Sequence, residues 1–172
     1  MMRIKSFWII VERIIYNVLS FFCHSCGRQL SEKAFVAFMQ FFKFGIIGVS
    51  NTFISYVLYS GGLILLRKFH LFHQVDYLIA QLVAFAVSVL WSFYWNNRLV
   101  FTLEDGGRRS VWKALAKTYI SYSFTGLFLN SILLLVWVRV LHISEFIAPI
   151  INLVITVPLN FLMNKLWAFK QG

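Results

Sequence analysis

Four long windows without an ionisable side chain constrain this chain more than any other feature. None of them contains Asp, Glu, Lys, Arg or His, and they cover residues 44–66, 77–97, 118–138 and 146–164. A charge at the centre of a bilayer is costly, and a helix needs about 20 apolar residues to cross the hydrocarbon core. Membrane strands would alternate apolar and polar residues, which these windows do not. The sequence therefore predicts four transmembrane helices.

Composition and charge agree with a membrane protein and predict its orientation. The chain is 60% hydrophobic and only 13% charged, about half the charged fraction of a typical soluble domain. With four spans, thirteen of the 16 Lys and Arg residues fall on the side of both termini. Because basic residues favour the cytoplasmic side, we expect both termini in the cytoplasm. The net charge of +10 is thus mostly a topology signal, and nucleic acid is not an expected partner.

Residues 1–37 are predicted to be a cytoplasmic amphipathic segment and linker. A helix over residues 7–22 would have one apolar face and one polar face with Glu12 and Arg13, as in a helix lying in the membrane interface. A signal peptide is the alternative, but these two charges interrupt the apolar run. Cys23 and Cys26 form a lone C-x-x-C pair. We interpret them as reduced thiols, with a shared metal or a redox pair as the alternatives.

The second and fourth windows end in similar segments, which indicates an internal repeat. An offset of 68 residues aligns Ser92 with Asn160 and Asn96 with Asn164. We therefore expect two hairpins that start on the same side, which is a parallel repeat about the membrane normal. Polar residues spaced by four lie in a row on one helix face. The fourth window has such a row, Asn152, Thr156, Asn160 and Asn164, and the second window has another, Ser88, Ser92 and Asn96. These rows either hold helices together or line a cleft for a polar headgroup.

Cations stand at the predicted cytoplasmic ends of the helices. Lys43 opens the first window, and Arg98, beside Asn97, and Lys165 follow the second and fourth. They either complement helix dipoles and reach toward lipid headgroups or form a basic collar that binds a phosphate. The four windows contain no carboxylate for proton coupling, and the sequence contains no nucleotide-binding loop. We therefore expect no enzyme activity, no cofactor and no metal.

Three segments together resemble the GtrA-like family of small four-helix membrane proteins. They are residues 42–52 (FKFGIIGVSNT), residues 92–101 (SFYWNNRLVF) and residues 160–169 (NFLMNKLWAF). The similarity covers roughly residues 38–170, so a GtrA-like transmembrane domain is predicted over 38–172. The resemblance implies transport of polyprenyl-phosphate-linked monosaccharides to the outer leaflet for cell-surface polysaccharide glycosylation, with a membrane glycosyltransferase as a partner, in the bacterial cytoplasmic (inner) membrane.

The sequence thus predicts an all-α polytopic membrane protein with four transmembrane helices, as two parallel-repeat hairpins plus an N-terminal amphipathic helix. The leading function is a lipid-linked-sugar flippase. One alternative is a non-transporting subunit that anchors a glycosyltransferase. The other is a small exporter, which is disfavoured because the windows contain no acidic residue. Because four helices enclose little space, we expect the protein to contact membrane lipids and to form a homo-oligomer. The predicted substrate-binding residues are Lys43, Asn51, Ser92, Asn96, Asn97, Arg98, Asn152, Thr156, Asn160, Asn164 and Lys165.

Overall fold

The computed structural model describes residues 2–27, 29–72, 74–102, 109–144 and 147–170. Within these ranges the regular structure is helical and contains no strand. An N-terminal helix, α1, covers Met2–Ser25. Four further helices are long and apolar enough to cross a membrane, and we refer to them in chain order as the first to fourth spans: Glu32–Lys68, Asp76–Val100, Val111–Val140 and Ile150–Ala168.

The predicted fold class is confirmed, and the protein is a multi-pass membrane protein. The first three uncharged windows lie inside the first three spans, and the fourth overlaps a helix that begins at Ala148. The spans extend past the windows because charged residues at the membrane surfaces continue the helices. Large apolar side chains such as those of Val49, Phe53, Leu82 and Val154 are exposed along the spans, as expected where the surrounding medium is lipid.

The second and fourth spans change from α to π geometry at the same position of the repeat. In the second span the α-helix Asp76–Trp95 is followed by a π-helical segment, Asn96–Val100, and in the fourth Ala148–Met163 is followed by Asn164–Ala168. Each segment closes with the bond that defines it: the amides of Phe101 and Phe169 donate to the carbonyls of Asn96 and Asn164, both at 2.8 Å. The offset is again 68 residues, so the repeat seen in the sequence is present in the backbone.

The third span is built from four consecutive segments. These are two α-helices, Val111–Ser123 and Asn130–Leu135, and two π-helical segments, Phe124–Leu129 and Val136–Val140. The Ser110 hydroxyl caps the start of the span by accepting from the Lys113 amide, which satisfies one amide that has no partner within the helix.

Four phenylalanines join the ends of the second and fourth spans and display the symmetry of the repeat. Phe93 stacks on Phe169 with ring centroids 5.5 Å apart, and the equivalent pair, Phe161 and Phe101, is 5.9 Å apart. Phe101 and Phe169 stack on each other at 4.6 Å. An approximate two-fold axis therefore passes between these two rings, and the hairpins are parallel repeats as predicted.

The opposite end of the first hairpin is closed by an ion pair. Arg67 Nε donates to Asp76 Oδ2 at 3.0 Å, and the other oxygen of Asp76 accepts from the Tyr77 amide at 2.7 Å. Asp76 directly precedes the second uncharged window, and a carboxylate is favourable at the start of a helix, so Asp76 acts as a capping charge. Glu145 directly precedes the fourth window, so its position predicts the same role, but Glu145 lies outside the described residues.

Residues Met1–Phe42 form a compact unit separate from Lys43–Gly172. Within the first unit, Tyr16 of α1 packs edge to face on Phe35 at 5.1 Å. Part of the apolar face of α1, including Ile10 and Ile14, is exposed. The position of α1 in the membrane interface and the domain boundary after residue 37 stay predictions. Cys23 and Cys26 are free thiols, and no metal-binding cluster occurs in the part of the chain that is described.

Candidate functional site

The interior between the second, third and fourth spans is lined by small and polar side chains. Their buried polar residues include Ser88, Ser92, Asn96, Thr118, Ser121, Thr125, Asn152 and Asn164. The predicted polar rows therefore face inward, away from lipid. Because a buried polar group is costly without a partner, the hydrogen bonds of these residues indicate what each of them does.

Ser92 and Asn96 link the second span to the third. The Ser92 hydroxyl lies 2.6 Å from Tyr122 Oη, and Asn96 Nδ2 donates to Ser92 Oγ at 3.1 Å and to Tyr122 Oη at 3.5 Å. The Asn96 side chain is 1% exposed. These three side chains form a hydrogen-bonded seam between two helices.

Asn152 links the fourth span to the third. Its Nδ2 donates to the backbone carbonyl of Asn130 at 3.0 Å and to Asn130 Oδ1 at 2.6 Å, and its Oδ1 accepts from Trp137 Nε1 at 2.8 Å. The side chain is 1% exposed and has partners at both ends of its amide. Helix packing accounts for these contacts, and substrate binding by Asn152 stays a prediction.

Asn96 and Asn164 occupy equivalent places in the two repeats and share an unusual feature. Each Nδ2 donates four residues back along its helix: Asn96 to Ser92 Oγ, and Asn164 to Asn160 Oδ1 at 3.1 Å and the Asn160 carbonyl at 2.8 Å. Each Oδ1 is buried without a hydrogen-bond partner among the described residues. An unsatisfied buried acceptor costs about 1–3 kcal/mol, so this interior retains unused capacity to accept hydrogen bonds.

A cleft of ≈ 340 Å³ lies at the end where the second and fourth spans finish. Its described lining consists of Tyr94, Asn97, Arg98, Thr102 and Arg109. Arg98 Nη1 donates to Tyr94 Oη at 2.8 Å, and its guanidinium carbon lies 5.7 Å from the centre of the Tyr94 ring. Two guanidinium groups beside hydroxyl and amide groups form a site that suits a phosphate. We call this group of five residues the basic cleft.

Arg109 is held by both repeats at once. Its Nη1 donates to the Phe169 carbonyl at 2.8 Å, and its Nη2 donates to the Phe101 carbonyl at 2.9 Å and to Asn97 Oδ1. Since Phe101 and Phe169 are equivalent residues, the guanidinium lies close to the approximate two-fold axis. Desolvation by burial lowers the pKa of Arg109 from its ordinary value, but an arginine stays protonated at neutral pH.

The structure brings only some of the predicted site residues together. Asn97 and Arg98 line the basic cleft, whereas neither Lys43 nor Lys165 is among its described lining residues. The Lys165 ammonium instead lies 5.6 Å from the centre of the Phe161 ring. Two cations, Arg98 and Arg109, therefore line this cleft, and a collar that also includes Lys43 and Lys165 stays a prediction.

The remaining predicted residues are distributed along the first and fourth spans. Asn51 is half-buried, and its Oδ1 has no hydrogen-bond partner in the described ranges. Thr156 is half-buried, and its hydroxyl donates to the Asn152 carbonyl of its own helix at 2.8 Å. Asn160 is also half-buried. Substrate binding by any of these residues stays a prediction.

The residues whose hydrogen bonds connect different helices were not predicted from the sequence. The sequence identifies Arg109 only as one of the basic residues on the side of the termini, although it donates to a carbonyl 60 residues further along the chain. The roles of Tyr122, Asn130 and Trp137 as partners of the polar rows were also missed. The presence of hydroxyl and amide groups in the third window was a signal for these contacts, but the rotation of each helix about its own axis was needed to pair them.

The part of the chain that contains the two hairpins and the basic cleft is similar to a known family. The family described as GtrA/DPMS, transmembrane domain, matches residues 43–169. The chain belongs to this family. The match begins at the first residue of the second compact unit and includes both repeats and every residue of the basic cleft.

A curated relative is the cell wall teichoic acid glycosylation protein GtcA of Listeria monocytogenes serovar 1/2a. It is 29% identical over 98 residues, which is 55% of this chain. The match spans 65% of the relative's own length. The GtrA-like resemblance inferred from the three sequence segments is therefore confirmed at the level of the family.

Proposed function

We propose that this GtrA/DPMS-family protein moves a polyprenyl-phosphate-linked monosaccharide from the cytoplasmic to the outer leaflet of the bacterial inner membrane. This lipid-linked monosaccharide would be the sugar donor for the glycosylation of a cell-surface polysaccharide. Family membership supports this role, and so does a relative named for teichoic acid glycosylation. The proposed orientation has both termini in the cytoplasm, which places the basic cleft on the side where such lipids would be made.

The basic cleft is the observation that carries the proposal. A lipid-linked sugar has one charged phosphate, which is expensive to place in hydrocarbon, and a tail that needs no protein contact. Arg98 and Arg109 provide two cations in one cleft, and Tyr94 beside them is half exposed. A phosphate bound there could keep its charge paired while its tail stays in the surrounding lipid.

The polar rows supply the proposed route for the sugar. Asn51, Thr156 and Asn160 are half-buried, whereas Asn96 and Asn164 are sealed in this arrangement. Passage of a headgroup therefore requires the helices to part along the seam. Sugar hydroxyls are hydrogen-bond donors that could occupy the unused acceptors of Asn96 and Asn164 in the parted state. With no coupling group proposed, net movement follows the gradient of the lipid.

The test is a translocation assay in proteoliposomes that contain only this protein. We expect faster transbilayer movement of a polyprenyl-phosphate-linked sugar than in empty vesicles. Asn160→Leu should slow that movement, because it removes an amide from the half-buried part of the route. Ser131→Ala is the matched control, since Ser131 is exposed and donates within its own helix. Movement no faster than in empty vesicles would refute the proposal.

The second candidate is a non-transporting subunit that anchors or stabilises a polyprenyl-phosphate glycosyltransferase. The apolar side chains of Ile10, Ile14, Phe21 and Phe22, all exposed in the N-terminal unit, favour it because a membrane enzyme could cover them. Co-purification of a glycosyltransferase whose activity is lost on deletion of residues 1–30, without movement in vesicles, would support this candidate. Size measurement in detergent would test the expected homo-oligomer.

A further inference from the structure

Arg109 enters the basic cleft already oriented. Its hydrogen bonds to Phe101, Phe169 and Asn97 use three N–H groups, and a guanidinium has five. Among the described residues no acceptor takes the other two donors, which therefore remain for a ligand. Because three protein acceptors already fix the guanidinium plane, little side-chain entropy is lost when an anion binds.

The helix ends around Arg109 are unfavourable for an anion, so anion binding at this place requires the positive charge of Arg109. The second and fourth spans finish at this point, and the C-terminal end of a helix carries partial negative charge that repels anions. The Phe101 and Phe169 carbonyls contribute to that charge, and Arg109 donates directly to both. An anion can approach these two helix ends only where a cation compensates for them.

Asn97 and Arg98 complete the site in different ways. The Asn97 oxygen accepts from Arg109, so the NH₂ end of its amide is turned away from the guanidinium and can donate to a ligand. Arg98 is exposed, and an exposed charge is screened by salt. Of the two guanidinium groups, Arg109 is therefore the better shielded and the better oriented.

We infer that Arg109 is the principal phosphate ligand of the basic cleft and that Arg98 supplies a weaker second charge. This inference rests on the proposed function and identifies the group that would recognise its substrate. The chemistry recognised is a phosphate ester, either attached to a lipid or free in solution. Without Arg109, the cleft would select poorly between a polyprenyl phosphate and the corresponding alcohol.

The test is a binding titration of the full-length protein in detergent, followed by tryptophan fluorescence. The probes are a polyprenyl phosphate, a polyprenol of the same chain length and inorganic phosphate. We expect the wild-type protein to prefer polyprenyl phosphate over polyprenol by at least about tenfold, since hydrogen bonds to charged groups exceed one tenfold step in affinity. Arg109→Gln should abolish that preference, and Arg98→Gln should reduce it less.

Two further variants keep the inference falsifiable. Lys113→Gln removes an exposed cation four residues from Arg109 and should leave the affinity for polyprenyl phosphate within about twofold of wild type, because exposed charges contribute little. Arg109→Lys keeps the charge but cannot bridge three acceptors, so it should bind more weakly than wild type and more tightly than Arg109→Gln. Size-exclusion chromatography and melting temperature identify the folded variants.

The outcomes separate the possible interpretations. If inorganic phosphate competes with polyprenyl phosphate, the site recognises both forms; if it does not, the site recognises lipid-linked phosphate, and Arg109 is its ligand in either case. A folded Arg109→Lys or Arg109→Gln variant with a lower melting temperature but unchanged affinity would show a purely structural arginine and overturn the inference. Wild-type protein that binds through Arg109 yet moves no lipid would instead refute the proposed function alone.

Discussion

Removing the Asn152 amide should destabilise the protein because three hydrogen bonds between the third and fourth spans depend on it. Asn152→Ala eliminates the acceptor of Trp137 Nε1 and the donor to both oxygens of Asn130. All of these contacts lie within the bundle, where water does not replace them easily. The alanine variant thus leaves polar groups of Asn130 and Trp137 without their partner.

The expected loss can be worked out from bonds of this kind in other membrane proteins. Interhelical hydrogen bonds there contribute about 0.6 kcal/mol on average, and three of them give about 2 kcal/mol, with a ceiling near 5 kcal/mol if each reaches the largest measured values. The assay is the free energy of unfolding in mixed micelles, titrated with SDS and followed by helical circular dichroism. Trp137→Phe should cost less, since it removes one of the three bonds.

A matched control and a double-mutant cycle isolate the effect. Asn160→Ala alters the same polar row at a half-buried position, and Asn164 keeps its bond to the Asn160 carbonyl, so this variant should cost under about 1 kcal/mol. The double variant of Asn152 and Trp137 should be less destabilised than the sum of its single variants. A loss below about 0.5 kcal/mol for Asn152→Ala would refute the packing role.

Three other predictions follow from the symmetry, the ion pair and the topology. Phe101→Ala and Phe169→Ala should destabilise the protein by about 3–5 kcal/mol each, and by nearly equal amounts, because both rings are buried at equivalent places. Asp76→Ala should lower stability by about 1 kcal/mol through loss of the helix-start charge; thermal melts in detergent measure both effects. A membrane-impermeant maleimide should label Cys26 in Cys23→Ser protein in inverted vesicles and not in right-side-out vesicles.

The controls use residues that lack the decisive contact. Phe53→Ala removes an exposed phenylalanine and should have a much smaller effect than either buried one. Arg67→Ala should cost less than Asp76→Ala, because the Arg67 side chain is 64% exposed and solvent screens its half of the pair. Clearly unequal losses for the two phenylalanines, a larger loss for Arg67→Ala, or labelling of Cys26 from the opposite side would each contradict the corresponding prediction.

The four spans and the repeat could be predicted because each depends on local properties of the sequence. Uncharged length determines where a helix can cross the bilayer, and the 68-residue offset places the π-helical segments at Asn96 and Asn164 in the same register. The inward direction of the polar rows also followed from helical periodicity.

The partners of those rows could not be predicted in the same way. Asn152 meets Asn130 and Trp137 because two helices are rotated and shifted until their polar groups pair, and neither composition nor spacing specifies that rotation. The contact of Arg109 with Phe169 depends on how the two hairpins pack together. Of the five residues of the basic cleft, only Asn97 and Arg98 were therefore predicted from the sequence as site residues.

The two halves of the chain share a backbone plan, yet their ends have diverged in chemistry. Shifting the cleft residues Tyr94, Asn97, Arg98 and Thr102 by the repeat length gives Leu162, Lys165, Leu166 and Lys170, which offer no phenol, amide or guanidinium. A pseudosymmetric scaffold thus presents an asymmetric surface, and under the proposed function we expect it to bind one headgroup per subunit rather than one per hairpin.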